Sequence, residues 1–304
     1  MAKFQINILG CGSATPSVRH NPSGQIINFR DRLMMVDCGE GSQLAMRRMG
    51  IGFNRLEHIF ISHLHGDHCL GLPGLLSTMA LHDKGGRIRL TLPQEGLDRM
   101  RDIISFFCPD SPFEIEYQGV GNEPCTVADD HAMTVEAFQL KHRVPCLGYI
   151  FREKPKPRHL RGDMIKFFGI PIADLHSIKQ GADWTAPDGR VIANERLTTD
   201  PEPSVSYAYC SDTMFSPAVA EAVKGVDVIY HEATYDDSLA EQARRRGHST
   251  AREAGKIARM AGAKRLIIGH YSNRYTSTEL LLRQAREEFE NVTAADEGMK
   301  IDLL

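Results

Sequence analysis

His63-Leu64-His65-Gly66-Asp67-His68 places four metal-ligating side chains within six consecutive residues. Imidazole nitrogen and carboxylate oxygen suit a borderline-soft cation such as Zn²⁺. In a chain extended through Leu64, His63 and His65 point to one side, because side chains alternate along a strand. Gly66 lets the backbone turn, so that Asp67 and His68 can address a second site. Further ligand types stand apart in sequence, in Lys141-His142, Ser211-Asp212-Thr213 and Gly269-His270. One such histidine is ordinarily satisfied by a hydrogen bond; five, with two aspartates, ask for a shared cation.

These residues need elements to position them. Ile59 to Ser62 is β-branched and aromatic and reads as a buried strand. Leu70, Leu72, Leu75, Leu76, Met79 and Ala80 follow at helical spacing, so the cluster sits at a strand-to-helix corner. A His-rich surface loop would need neither flank. Strands are predicted at Phe4 to Leu9, Gln25 to Phe29, Arg32 to Asp37, Arg87 to Leu92, Phe113 to Tyr117, Met133 to Leu140 and Leu147 to Arg152. Later strands read at Val205 to Cys210, Val226 to His231 and Arg265 to Gly269, with helices between and after them at Asp236 to Arg246, Ala251 to Ala261 and Thr278 to Phe289. His142, Asp212 and His270 fall just beyond strand ends, which tend to gather sites on one rim of a sandwich.

His63-x-His65-x-Asp67-His68 resembles the signature of the metallo-β-lactamase superfamily. That resemblance implies an αββα sandwich of two mixed sheets, which the strand and helix patterning permits. His231-Glu232-Ala233-Thr234, His248-Ser249-Thr250 and Gly269-His270-Tyr271-Ser272-Asn273-Arg274-Tyr275 narrow it further. With Gly10-Cys11-Gly12-Ser13-Ala14 near the start, they resemble ribonuclease Z, the endonuclease family that trims tRNA 3′ trailers.

The resemblance implies a partition: His63, His65 and His142 on one Zn²⁺, Asp67, His68 and His270 on another, and Asp212 bridging, with Mn²⁺ as an alternative metal. It makes Asp67 proton acceptor for the attacking water as well as ligand. It makes His248 the donor to the leaving oxygen and Glu232 the carboxylate that orients it, the arrangement a general acid near neutral pH requires. Asp37 is expected to organise the loop beneath the metals rather than bind them. Thr250, Ser272 and Arg274 are expected to meet substrate phosphate. Where family members carry Pro-x-Lys-x-Arg-Asn, this chain reads Pro16-Ser17-Val18-Arg19-His20-Asn21.

Composition bounds the rest. The chain of 304 residues is 42% hydrophobic and 25% charged, as soluble globular proteins are, with a net charge of -3. A polyanionic partner must therefore be met by a local basic patch. No apolar run approaches the roughly 20 residues of a membrane span. Alternation begins at Phe4, which leaves no room for a signal-peptide core. Seven cysteines without a C-x-x-C pair read as reduced thiols, and the expected location is cytoplasmic.

The pattern breaks after Arg152. Residues 152 to 166 carry six Lys or Arg against two acids, and Pro155 and Pro157 oppose helix and sheet. The reading is one hydrolase domain over 1–304 carrying an inserted, protruding basic arm at 152–178, with Lys154, Lys156, Arg158 and Arg161 as phosphate contacts; a plain surface loop is the alternative. The resemblance implies a precursor-tRNA substrate and a homodimer in which one subunit's arm serves the other's site. The leading activity is tRNA 3′ cleavage leaving a 3′-hydroxyl on the tRNA and a 5′-phosphate on the trailer. The competing readings are a two-metal phosphodiesterase for small phosphodiesters and a catalytically silent RNA-binding scaffold.

Overall fold

Apolar and β-branched runs at both ends of the chain build two seven-stranded sheets in a computed structural model, which describes residues 4–82 and 84–303. The first sheet starts with an antiparallel meander, Phe4–Gly10, Gly24–Phe29 and Arg32–Cys38. It continues in parallel through Leu56–Phe60, Arg87–Pro93 and Glu114–Val120, and Lys300–Asp302 closes its other edge. The second sheet runs Val292–Ala294, Arg265–Gly269, Val228–Glu232, Ser206–Cys210, Leu147–Glu153, Met133–Gln139 and Cys125–Asp129. Its first four strands are parallel, and their crossovers need helices, which Pro217–Ala222, Ala251–Ala261 and Glu279–Arg286 supply.

Leu9, Ile26, Met35, Ile59, Ile88 and Leu90 of the first sheet pack with Leu72, Leu75, Leu76 and Met79 of the helix Gly71–Leu81 and with Met100 and Ile104 of the helix Leu97–Phe107. Side chains of the second sheet reach the first: the buried Tyr207 hydroxyl donates to Gln25 (2.5 Å), and that of Tyr209 to Asp37 (2.8 Å). Buried tyrosines need such partners for their polar ends.

Two expectations are adjusted. The strand before the metal corner is Leu56–Phe60, so Ile61 to Leu64 lie beyond it, and the corner opens with a separate short helix, Gly66–Cys69. The break after Arg152 is a second compact unit of residues 130–134 and 152–204, longer than the 152–178 insertion read from the sequence. It has its own core of Ile170, Ile178, Trp184, Ile192 and Leu197. Asn194 knits that core by donating to the carbonyls of Ile178 (2.7 Å) and Ala182 (2.8 Å), and Trp184 donates to Asp174 (2.8 Å). The boundary was illegible because the apolar residues that close this unit lie beyond the proline-rich stretch. Among the described residues, no helix is long and apolar enough to cross a membrane.

Candidate active site

Parallel strands end together, so the residues just past their carboxyl ends share one rim. Arg32–Cys38 delivers Asp37, Leu56–Phe60 leads to His63, Ser206–Cys210 to Asp212, Val228–Glu232 to Glu232 and Thr234, and Arg265–Gly269 to His270. Asp37 and His270 both hold left-handed backbone, at φ 55° and 60°. Such conformations in non-glycine residues persist where surrounding bonds over-determine them, and here Asp37 accepts four hydrogen bonds while His270 is tied through Thr234.

The sequence-expected ligands converge in two groups. His63 Nε2 lies 2.9 Å from His65 Nδ1, which is 3.3 Å from His142 Nε2, and Asp212 Oδ2 is 3.6 Å from His63 and 3.8 Å from His142. Asp67 Oδ2 lies 3.5 Å from His68 Nε2 and 3.4 Å from His270 Nε2. Asp212 Oδ1 faces the same two nitrogens at 3.4 and 3.1 Å, so its two oxygens divide between the groups. Although extended strand ends before His63, the Ile61–Leu64 segment still turns His63 and His65 to one point.

The second nitrogen of four of these rings is committed. His68 Nδ1 donates to Asp37 (2.7 Å), His142 Nδ1 to the Gly247 carbonyl (2.7 Å), His270 Nδ1 to Thr234 Oγ1 (2.9 Å) and His63 Nδ1 to Ser62 Oγ (3.0 Å). The inward nitrogens are then lone pairs, and they face carboxylates that accept but cannot donate. Asp212 Oδ1 is buried and makes no hydrogen bond. An array dominated by acceptors around one buried aspartate fits divalent cations, and the bonds from the far side are what orient metal-binding imidazoles. Burial holds the His63, His65 and His142 imidazoles below their ordinary range, in the neutral form that binds metal. Asp37 touches no ligand point; it accepts from Ser62 N (2.7 Å), Ser62 Oγ (2.8 Å), Tyr209 and His68, which makes it the anchor of this shell.

Glu232 is fully buried and receives four bonds: Thr213 N–H (2.9 Å), Thr234 N–H (3.2 Å), Thr234 O–H (2.6 Å) and His248 Nδ1 (2.9 Å). One carboxylate thus fixes both His270, through Thr234, and His248 directly. Burial disfavours the His248 imidazolium, but the Glu232 charge and hydrogen bond outweigh it and push its pKa up to about 9. His248 Nδ1 is 3.8 Å from Asp212 Oδ2, and its hydrogen bond to Glu232 occupies that nitrogen. Gly247 shapes the approach: it ends the helix Ala240–Arg246 at φ 82°, and a Cβ there would stand 2.8 Å from His142 Nδ1.

A cavity of about 450 Å³ opens over both groups, walled by Asp67, His142, Asp212, His248 and His270 and by Ser272 and Arg274. Arg143 and Arg246 also line it, and Arg274 lies 5.1 Å from the Tyr235 ring centroid. Arg143 is not signalled by any motif, although it lies one residue from His142. Thr234 was legible only as a motif letter; its link between His270 and Glu232 needed coordinates. The 13–15 backbone forms another wall, where Ala14 N–H donates to Asp67 Oδ2 at 2.6 Å. Thr250 is placed differently: it is buried, its hydroxyl accepts from Glu253 N–H (3.2 Å), and Thr250 N–H donates to the Glu253 carboxylate (2.9 Å). That capping box occupies the hydroxyl expected to meet substrate.

Lys154, Lys156, Arg158 and Arg161 belong to the second unit. Lys156 pairs with Glu153 at 3.1 Å, Arg158 with Asp200, and Arg161 with Asp163 at 3.4 Å.

A profile described as Beta-lactamase superfamily domain matches residues 185–271, and one described as Anti-Pycsar protein Apyc1 matches residues 4–103. The chain is 46% identical over 306 residues to a protein named Ribonuclease Z from Parabacteroides distasonis, and 47% identical over 305 residues to one of the same name from Porphyromonas gingivalis. In both comparisons all of each chain is covered. Among solved structures, human tRNase Z, short form, superposes with a TM-score of 0.71 at 25% identity, covering 99% of both chains.

Proposed function

The chain belongs to the ribonuclease Z family, and from that membership we propose that it is a zinc-dependent endoribonuclease that removes the 3′ trailer from precursor tRNA. Its fold is the metallo-β-lactamase αββα sandwich of two mixed sheets. The observation that carries the reading is the pairing of two donor groups through one buried aspartate, with the His248–Glu232 pair directly beside them.

His63, His65 and His142 would hold one Zn²⁺, Asp67, His68 and His270 the other, and Asp212 would serve both. When bound, two such cations polarise a phosphodiester and supply the nucleophilic water. Asp67, held in place by Ala14 N–H, would serve as ligand and accept the proton of the attacking water. Water adds to phosphorus as the bond to the tRNA O3′ breaks, and His248 gives its proton to that oxygen. The products are a 3′-hydroxyl on the tRNA and a 5′-phosphate on the trailer. Glu232 keeps the imidazolium charged and aimed, and Arg143, Arg246 and Arg274 bring positive charge to flanking phosphates.

The second unit is proposed as the tRNA-binding element. Support lies less in its paired cations than in its exposed surface, where Phe167 is 76% exposed next to Lys166 on the helix Gly162–Phe168, at whose start stands Arg161. An aromatic face beside cations suits stacking and phosphate contact together. A homodimer is proposed on the family resemblance, and the exposed Leu44 and Leu70, which line one recess, offer an apolar patch for it. Seven free cysteines support a cytoplasmic location.

The deciding experiment is cleavage of a 3′-extended tRNA in zinc, in manganese and in chelator, with product ends mapped. A 3′-hydroxyl at the discriminator and loss of activity in chelator are expected. Hydrolysis of a small aryl phosphodiester with an intact precursor tRNA would overturn the assignment in favour of a small-molecule phosphodiesterase. Metal binding without cleavage of either would leave an RNA-binding scaffold.

A further inference from the structure

A second set of metal-ligating side chains lies away from the catalytic groups. Cys11 follows the strand Phe4–Gly10, His20 closes the loop that walls the cavity, and Asp296 and Glu297 follow the strand Val292–Ala294. One ligand atom from each lies within 4.8 Å of the other three. His20 Nδ1 stands 3.5 Å from Cys11 Sγ, 2.8 Å from Glu297 Oε2 and 3.8 Å from Asp296 Oδ1, and Cys11 Sγ is 3.6 Å from Glu297 Oε1.

Two ordinary explanations fall short. Cys11, His20 and Glu297 are the residue types of a nucleophilic relay, but a relay uses both ring nitrogens, one for the thiol and one for the carboxylate. Here both partners address Nδ1, and Cys11 is fully buried. A hydrogen-bond cluster accounts for only part of the convergence. Nδ1 has at most one proton for three partners. The thiol has one proton, yet it faces Glu297 Oε1 and the Ala295 carbonyl as well as the ring. Cys11 N–H and Asn21 N–H already supply Glu297 Oε1 from the backbone, so the thiol is not needed to satisfy that oxygen, yet it stands beside it.

We infer that Cys11, His20, Asp296 and Glu297 form a third, non-catalytic site for zinc or a similarly thiophilic divalent cation. Sulfur and imidazole together select such metals, and a closed set of four protein ligands marks a structural rather than a catalytic site. Ligand atoms at the edges of a tetrahedral zinc site stand about 3.3–3.6 Å apart, given the usual zinc–ligand bond lengths. The Cys11–His20 separation and that from Cys11 Sγ to Glu297 Oε1 match such edges, the 2.8 Å contact of His20 being to the other carboxylate oxygen, Oε2, while the His20–Asp296 contact closes slightly to admit the ion.

The site's place in the fold gives it a task. Tyr271 N–H donates to the Cys11 carbonyl (2.9 Å) and Ser13 N–H to the Tyr271 carbonyl (3.0 Å), so Cys11 is laced to the residue after the catalytic His270. Asn21 N–H donates to Glu297 (2.9 Å), and Gly298 N–H to the Ile8 carbonyl (3.0 Å). A cation here pins the 13–20 loop to the segments that follow Phe4–Gly10 and Val292–Ala294 and steadies the wall that presents Ala14 N–H to Asp67.

The test is metal content of the full-length protein, loaded with zinc and dialysed. The wild type is expected to retain one equivalent per chain beyond the catalytic pair, and Cys11→Ser/His20→Gln to lose that equivalent alone. A wild type with the catalytic pair only, or a double variant with unchanged content, overturns the inference. A second measurement needs no variant: in cobalt-loaded wild type, Cys11 is expected to give a near-ultraviolet thiolate-to-cobalt charge-transfer band, because no cysteine is among the catalytic ligands. Absence of that band likewise overturns the site.

Discussion

The catalytic rim and the 152–204 unit both drew attention as runs of charged or ligating residues, and the structure treats them in opposite ways. At the rim, ligand types adjacent in sequence stay adjacent in space, and distant residues come to complete them: His142, Asp212 and His270 close around His63 to His68. In the second unit, distant residues come to cancel the local signal. Six cations against two acids over 152–166 become nine against eight over 152–204, and Asp200 and Glu202 fold back beside Arg158 and His159. A motif that needs one geometry survives folding, whereas a local charge count is open to compensation from anywhere in the chain.

The contrast is sharpest at Asp212, whose two oxygens face both donor groups. Asp212→Ala is expected to lose both metals together and to lower tRNA cleavage about 10⁴-fold or more, since metal assistance is worth several kcal/mol of barrier. Metal analysis of purified protein checks the first part. His142→Ala, which touches one group only, should mainly weaken that site. Parental metal stoichiometry in Asp212→Ala would end the bridging assignment.

What the sequence made legible follows the same division. The strand-to-helix corner, the convergence of the strand-end histidines and aspartates and the helix over Ala251 to Ala261 were readable because each rests on a short pattern. The networks behind them were not. Asp37, Ser62, Tyr209 and His68 meet across up to 172 residues of chain, and neither spacing nor residue type announces such a meeting. Thr250 misled because a hydroxyl at a helix start serves either a cap or a phosphate, and only the bond to Glu253 decides. The strands Cys125–Asp129, Val292–Ala294 and Lys300–Asp302 went unread, being short edge elements whose partners define them.

His248→Ala should keep its metals and lower cleavage by roughly 10²–10⁴-fold, the range for a lost general acid. A phosphodiester with a nitrophenolate leaving group needs no proton and should lose far less. Equal losses on both substrates would make His248 a phosphate-binding residue. Thr234→Val cuts the bond from His270 and one of the four into Glu232 while keeping side-chain volume. A loss of about 10–100-fold in metal affinity or activity is expected, as for other groups that orient metal-binding histidines. Metal titration of the variant measures it, and unchanged affinity with unchanged activity would reduce Thr234 to a packing residue.

The smallest effects belong to the second unit, and they decide whether it binds RNA at all. Excising part of it, for example 154–176, would remove Ile170 from the core it shares with Ile178, Trp184, Ile192 and Leu197, so the result would report misfolding. Surface substitutions avoid this. Phe167 is 76% exposed, and the unit's core is built from other side chains. If it stacks on a base, Phe167→Ala should raise the Michaelis constant for precursor tRNA about fivefold or more, because one stacked base is worth about 1–3 kcal/mol. Arg161→Ala and Lys166→Ala should each flatten the plot of log affinity against log salt by about 0.7–0.9 if each meets a phosphate. Arg161 already has Asp163 at 3.4 Å, so part of its charge is spent and the smaller change is expected there. All three variants should hydrolyse a small aryl phosphodiester at the parental rate, since none lies among the metal-binding or proton-carrying residues. Should tRNA affinity and salt slope stay fixed in all three, the positive surface that matters is the trio Arg143, Arg246 and Arg274 around the cavity. Substituting those would then carry the salt dependence that the second unit lacks.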